Sequence, residues 1–264
     1  MRKLIDLSQP IENKGHARPF HPTPVVWTHL SHEESAPIWK KGGFSAMVKG
    51  VIVSDHSGSH TDAYTHMDTR PGAESIDQLP LHLFFTEAVC IDCSHVPPRT
   101  FITVKHIREG LAKTKLELKR GDTFLYHTNH YERFFKDRTK WWTEFAGLDG
   151  EAMNFLADAG VVNVGTEAFS IDNPAATLPD ADPPYPAHQV CRDRKVLNTE
   201  NLIIPQELVG RRFTYIGFPI KIVGGTGGWI RAVAVLDERW LRRQTGWRSA
   251  GGLPKRRSRA GEVR

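Results

Sequence analysis

The chain has 264 residues, 39% of them hydrophobic and 25% charged, which suits one large globular domain. It holds no apolar run of the ~18 residues that a membrane-spanning helix needs, and so no membrane partner is expected. The net charge of +5 is local: residues 248–264 hold six Lys or Arg against one acid, leaving a formally neutral body without the electrostatic footprint of a nucleic-acid binder.

In chain order, the opening MRKLIDLSQP lacks the apolar core of an export signal and predicts a cytoplasmic protein. Strand patterns rich in β-branched and aromatic residues fall at 4–8 (LIDLS), 47–54 (MVKGVIVS) and 88–92 (AVCID). The first helix is predicted over 103–114, where Val104, Ile107 and Leu111 share a face and Thr103 caps the start. TFLYHT (123–128) reads as a strand. A second helix spans 148–160, with Leu148, Ala152, Phe155, Leu156 and Ala159 on one face and Gly160 ending it. VVNVG (161–165) and FTYIGFPIKIVGG (213–225) complete the strands. The proline-rich stretches 18–24 and 177–186 must be loops. Mixed α/β architecture follows, with one domain over 1–247 and a disordered basic tail over 248–264. The three cysteines are Cys90, Cys93 and Cys191; Cys90 and Cys93 form a CxxC inside an apolar strand pattern, with no second pair to make a zinc ribbon.

The stretch DHSGSHTDAYTHMD (55–68) packs three histidines and three aspartates into fourteen residues. A straight strand would hold His56 and His60 about 13 Å apart, too far for one metal ion. A helix would bring those two together but turn Asp62 roughly 200° away from His60. A bend at Gly58, where a left-handed conformation is easiest, followed by a short extended piece gathers His56, His60 and Asp62 best. Two imidazoles and a carboxylate are the usual nitrogen and oxygen ligands of Zn²⁺, Mn²⁺ or Fe²⁺, and they leave open positions for water and substrate. A metal there would lower the pKa of water toward ~7, and a fourth group, His66, would move protons. The plain alternative is a histidine-rich surface loop.

HSGSHTDAYTH resembles the HxGTHxDxPxH signature of the cyclase family of metal-dependent hydrolases, which includes bacterial kynurenine formamidase and isatin hydrolase. His56, Gly58, His60, Asp62 and His66 match; Ser59 stands for the usual Thr and Tyr64 for the usual Pro. LIDLSQPI, GDTFLYHT, VGTEAFSIDNP (164–174), AHQVCRDRKVLNTENL (187–202) and GGTGGWIRAVAVL resemble further family segments in the family's order, over most of residues 4–236.

The resemblance implies a single compact α/β domain of the swivelling β/β/α type, usually a homodimer or larger oligomer such as a homotetramer. It implies one or two divalent ions, Zn²⁺ or Mn²⁺, per subunit. His56, His60 and Asp62 would bind the first. His188 and Glu200 would join Asp62 around a second, or, with one metal, Glu200 and His188 would serve substrate or water as catalytic groups. His66 would be the catalytic proton carrier. The implied reaction is hydrolysis of an amide, lactam or related C–N bond of a small molecule. Cyclisation, lactone hydrolysis or a purely structural metal on the same residues are the alternatives. Spacing alone gives His188 and Glu200 no weight. The departures Tyr64 and Trp229, with Trp27 from the long 18–44 insertion, are candidate substrate contacts, and Trp39 and Phe44 could line an aromatic pocket or an oligomer contact.

Overall fold

The computed structural model describes residues 2–18, 20–39 and 43–237. The expected basic tail at 248–264 and the boundary at 247 lie outside the described residues. In chain order the elements are β1 (Arg2–Asp6), β2 (Val25–Leu30), α1 (His32–Ser35), β3 (Val48–Ile52), β4 (His60–Asp62), β5 (Phe85–Asp92), β6 (Phe101–Ile102), α2 (Val104–Thr114), β7 (Thr123–His127), α3 (His130–Phe134), α4 (Arg138–Thr143), β8 (Gly147–Leu148), α5 (Gly150–Asp158), β9 (Asn163–Gly165), α6 (Pro186–Arg194), β10 (Leu197–Glu200), β11 (Arg211–Ile216), β12 (Gly227–Trp229) and β13 (Val233–Asp237).

Among the described residues, nine strands form one mixed sheet in the order β1-β13-β11-β5-β7-β9-β10-β4-β12. The middle strands β5, β7, β9 and β10 run parallel, as strands joined through helices α2, α5 and α6 can. Both flanks are antiparallel. β5 and β7 are buried on both faces. Val89, Ile91, Phe124 and Tyr126 pack with residues of α2, α5 and α6. Ala88, Cys90 and Leu125 face the other way, toward Ile5, Phe213, Tyr215 and Ala234 from β1, β11 and β13. Burial on two faces is why AVCID reads as a continuous apolar run rather than an alternating one.

Helix α2 buries Ile107, with Val104 and Leu111 packed beside it. Thr103 caps it, its backbone N–H donating to His106 Nδ1 at 3.1 Å. Gly160, at φ +83°, closes the turn after α5. The expected helix start at Leu148 is corrected: Leu148 lies in β8 beside Ile102, and its N–H donates to the Ile171 carbonyl at 2.7 Å. The helix begins two residues on because Asp149 accepts from the Ala152 N–H at 2.6 Å. The strand expected over 213–225 stops at Ile216, before Pro219, which has no N–H to give a ladder. Helices α3, α4 and α6 were not expected from the pattern. Cys90 and Cys93 are buried free thiols, and burial pushes Cys93 up to about 12. No helix of the described residues is long and apolar enough to cross a membrane.

Candidate metal centre

The turn preceding β4 is held by its serines. Ser57 Oγ accepts from the Ser54 N–H at 3.1 Å, and Ser59 Oγ donates to the Asn201 carbonyl at 2.5 Å. Between them Gly58 sits at φ +61°, the conformation that the bend requires. The chain then enters β4, which pairs antiparallel with β10 on one side and β12 on the other. Register places Glu200 opposite His60 and Asn198 opposite Asp62, so all four side chains leave one face of the sheet. On β12, Gly227 lies opposite Asp62; a Cβ there would come within 2.8 Å of the His56 ring. Absence of a side chain at 227 is what lets His56 lie over the carboxylate.

Each of three imidazoles is tied by one ring nitrogen and presents the other to the carboxylates. His60 Nδ1 lies 2.9 Å from the Gly58 carbonyl, which fixes the proton there and turns Nε2 toward Asp62 Oδ1 (3.3 Å) and Glu200 Oε2 (3.6 Å). His56 Nε2 lies 2.9 Å from Thr226 Oγ1, which itself donates to Asp55 Oδ2. Thr226 therefore accepts from His56, and Nδ1 faces Asp62 Oδ1 at 2.9 Å. His188 Nδ1 is bound to Asp172, leaving Nε2 3.4 Å from Glu200 Oε1 and 3.6 Å from Asp62 Oδ2. Asp172 is held by the start of α6, accepting from the N–H groups of Ala187 (2.6 Å) and His188 (3.2 Å), where the helix dipole favours its charge.

These residues fit a divalent cation. His60 Nε2 and Asp62 Oδ1 are buried and have no hydrogen-bond partner. Two groups of ligand atoms, His56–Asp62–His66 and His60–Asp62–Glu200, each lie within 4.8 Å of one another. Asp62 belongs to both, as a bridging carboxylate would. Imidazoles anchored at the far nitrogen by Gly58, Thr226 and Asp172 are the outer contacts that orient metal-bound histidines. Asn198 Nδ2 reaches Asp62 Oδ2 (2.9 Å) and Glu200 Oε1 (2.7 Å), holding both carboxylates in place.

The protonation pattern carries the same demand for positive charge. Burial opposes ionisation of Asp62, yet His66, His56 and His188 hold its carboxyl well below the usual range. Burial also disfavours charge on His188, but Asp172, Asp62 and Glu200 hold it well above the ordinary histidine value; Asp62 and Glu200 raise His60 likewise. His66 differs: burial pushes it down to about 4, with the Asp62 carboxylate opposing. Its ring packs on that of His56, centroids 4.1 Å apart.

A narrow opening of about 20 Å³ is bordered by His56, His60, His66, Glu200, Arg18 and His21. Arg18 and His21 also border a 280 Å³ cleft beside Gln9 and Gly58, and a 490 Å³ cavity walled by Phe169, Trp142 and Tyr185. The candidate substrate contacts border none of these three spaces, though Tyr64 borders a small separate pocket with Asp62, His188 and Asn198. Tyr64 is buried among Ala63, Ile76 and Phe84, its hydroxyl donating to the Lys195 carbonyl at 2.9 Å. Trp229 sits opposite His60, and its indole N–H donates to the Ser54 carbonyl at 2.6 Å, bracing the turn that carries His56. Trp27 is on the outer β2–β3 hairpin with its ring over Gly50, and borders neither the cleft nor the opening. Trp39 and Phe44 are exposed and pack edge to face on each other. Asp172, Asn198, Thr226, Arg18 and His21 were missed. Pro186 at the first position of α6 was the available signal for a helix start that would place Asp172.

Comparison with known proteins agrees with this architecture. A family model described as putative cyclase matches residues 5–173. The chain is 29% identical over 208 residues to the kynurenine formamidase of Salinibacter ruber, covering 79% of this chain and 85% of that protein. It is 30% identical over 186 residues to the kynurenine formamidase of Paracidovorax citrulli, covering 70% and 78%. An isatin hydrolase crystallised with the product analogue thioisatinate superposes with a TM-score of 0.77 at 22% identity, over 89% of this chain and 92% of that one, so the two share a fold. With the motif, its folded geometry and a match across most of its length all in agreement, the chain belongs to the putative cyclase family.

Proposed function

We propose that the protein is a metal-dependent hydrolase that cleaves an amide, lactam or related C–N bond of a small aromatic molecule. The observation that carries this reading is the convergence of His60 Nε2 and Asp62 Oδ1, both buried and without a hydrogen-bond partner, with Nδ1 of His56 and Nε2 of His188 around two carboxylates. The similarity to kynurenine formamidases supports the same bond type. His56, His60 and Asp62 would hold a first ion, and His188 and Glu200 a second that shares Asp62; three imidazoles and two carboxylates accommodate Zn²⁺ or Mn²⁺.

The metal supplies Lewis acidity, which makes water nucleophilic near neutral pH and polarises the substrate carbonyl. The chain's own residues do the rest. Asp172, Thr226 and the Gly58 carbonyl keep the three rings aimed. His66, on the open side of the cluster and free of side-chain hydrogen bonds among the described residues, takes the proton from water and delivers it to the departing nitrogen. With a single ion bound, Glu200, bordering the same opening, would instead orient the attacking water. The walls of Phe169, Trp142 and Tyr185 receive the aromatic ring.

Elemental analysis of the purified full-length protein, followed by turnover of aryl formamides and cyclic imides in ¹⁸O-labelled water, tests this. Metal-dependent cleavage that places ¹⁸O in the acid product is expected. A product without the label would point to cyclisation or elimination. A metal that no chelator or substrate can reach would point to a structural role. Assembly as a homodimer or homotetramer belongs to the same proposal, supported by Val25, Trp27, Val48, Val51 and Ile52, all at least 41% exposed on the β2–β3 hairpin. Light scattering behind size exclusion reads it directly.

A further inference from the structure

Arg18 differs from the carboxylate-paired arginines of the fold. Arg70, Arg212 and Arg231 each grip an aspartate through two nitrogens, with partners Asp68, Asp122 and Asp6. Arg18 pairs with no carboxylate among the described residues. Its Nη2 donates to the Tyr185 hydroxyl, and its guanidinium carbon lies 5.4 Å from the centre of the Phe169 ring and 5.6 Å from that of Tyr185. It is half-buried and borders the opening over His60, His66 and Glu200 as well as the 490 Å³ aromatic cavity. A guanidinium stacked on rings keeps its fork of N–H donors free in one plane, the geometry that binds a carboxylate through two hydrogen bonds. Removed from bulk water on two sides, its charge is worth more to an anion than a surface arginine's would be.

We propose that Arg18 is the specificity residue of the site, selecting aryl substrates that carry a carboxylate beside the scissile amide. The aromatic ring would lie against Phe169 and Trp142, whose own rings meet edge to face 4.8 Å apart, with the carboxylate on Arg18 and the amide over the histidine cluster. This assignment rests on the hydrolase reading for its scissile bond but not for its anion.

Calorimetric titration of the zinc-loaded full-length protein with anthranilate and with aniline separates the two. Wild type is expected to bind anthranilate at least tenfold tighter. Arg18→Met should weaken anthranilate by roughly 30- to 100-fold and leave aniline within about twofold; Arg18→Lys should recover part of the loss, because it returns charge without the fork. Arg18→Gln, which keeps a donor for Tyr185, should behave as Arg18→Met, so a packing defect is not mistaken for a lost anion site. If Arg18→Met and Arg18→Gln keep the wild-type preference, or if wild type has none, the proposal is overturned. Parallel assays with 2-formamidobenzoate and formanilide keep the two readings distinct. Loss of the anthranilate preference in Arg18→Met and Arg18→Gln, with wild type cleaving neither amide, would count against the hydrolase reading while upholding Arg18.

Discussion

The middle of the sheet and the β10–β4 pair near its far edge both bury their strands but fill them differently. In β5 and β7 the two faces go to apolar cores, with Val89, Ile91, Phe124 and Leu125 packed among hydrocarbon; Thr123 and His127 find polar partners and the buried Tyr126 hydroxyl finds none. In β10 and β4 every residue is also buried, yet the sequences are LNTE and HTD. One face of this polar pair is self-satisfied: Thr61 and Thr199 hydroxyls lie 3.0 Å apart, and Thr199 donates to Asn163 Oδ1 at 2.9 Å. The opposite face is not: His60 Nε2 and Asp62 Oδ1 find no hydrogen-bond partner in the chain and meet each other and His56 Nδ1 only as ion pairs. A buried polar group left unsatisfied costs about 1–3 kcal/mol. The centre is held by apolar packing; at the edge, a cation bound as proposed would satisfy these atoms and recover their folding cost.

The sharpest break of this contrast is to exchange the two kinds of defect. Leu125→Ala at the centre should lower stability by about 2–5 kcal/mol, with metal content per folded chain unchanged. Asp62→Asn at the edge should act on the metal instead. It should abolish metal binding and cut turnover by about 10³-fold or more, and the metal-free protein should also melt lower than metal-free wild type, because the ionised carboxylate that faces His56, His60 and His188 has been removed. Metal-induced stabilisation, read as the shift in Tm on adding Zn²⁺ or Mn²⁺, should vanish in Asp62→Asn and survive in Leu125→Ala. An Asp62→Asn protein with full metal content would contradict the centre as drawn.

His66→Ala is the next largest. As a proton carrier His66 is worth 10²–10⁴-fold in kcat, with metal content retained. If the ion is lost in this variant, His66 belongs with His56 and Asp62 as a ligand, a grouping that the geometry also allows. Smaller effects should come from groups that only aim the rings. Asp172→Asn weakens the acceptor for His188 Nδ1, and Gly227→Ala puts a methyl 2.8 Å from the His56 ring. Each should lower metal affinity by about 10–100-fold, measurable by competition with a chromogenic chelator.

The same contrast explains how much of the molecule was legible in the sequence. Central strands announce themselves, since burial on both faces leaves an apolar run such as AVCID. The bend at Gly58 was legible too, because His56, His60 and Asp62 are close in sequence and only one local shape gathers them. His188 and Glu200 were not legible from spacing. They arrive through the pairing of β10 with β4, a contact across 136 residues between Asn198 and Asp62, and only the family resemblance pointed to them. Asp172 acts through the first turn of α6, a helix whose weak apolar pattern let PAHQVCRDR pass for loop. Arg18 and His21 lie in a proline-rich stretch in which composition predicts a loop and says nothing about what the loop faces.

The smallest expected effect lies just outside the centre. Asp68 ends the histidine stretch and is gripped by Arg70, Nε to Oδ1 at 2.7 Å and Nη2 to Oδ2 at 2.8 Å, with the Arg70 N–H as a third donor at 3.0 Å. These bonds, above all those of the side chain, depress its carboxyl to about 2. A carboxyl whose folded value lies below its unfolded one stabilises the fold above the unfolded value, near 4, and loses that contribution as pH falls toward the folded value. The Tm difference between wild type and Asp68→Asn, measured on metal-free protein, should therefore be constant above about pH 5, shrink below about pH 4 and close toward pH 2. Salt should reduce it at every pH, because Arg70 is 60% exposed and the pair is screened. A difference that widened on acidification would mean that Asp68 acts through some group other than Arg70.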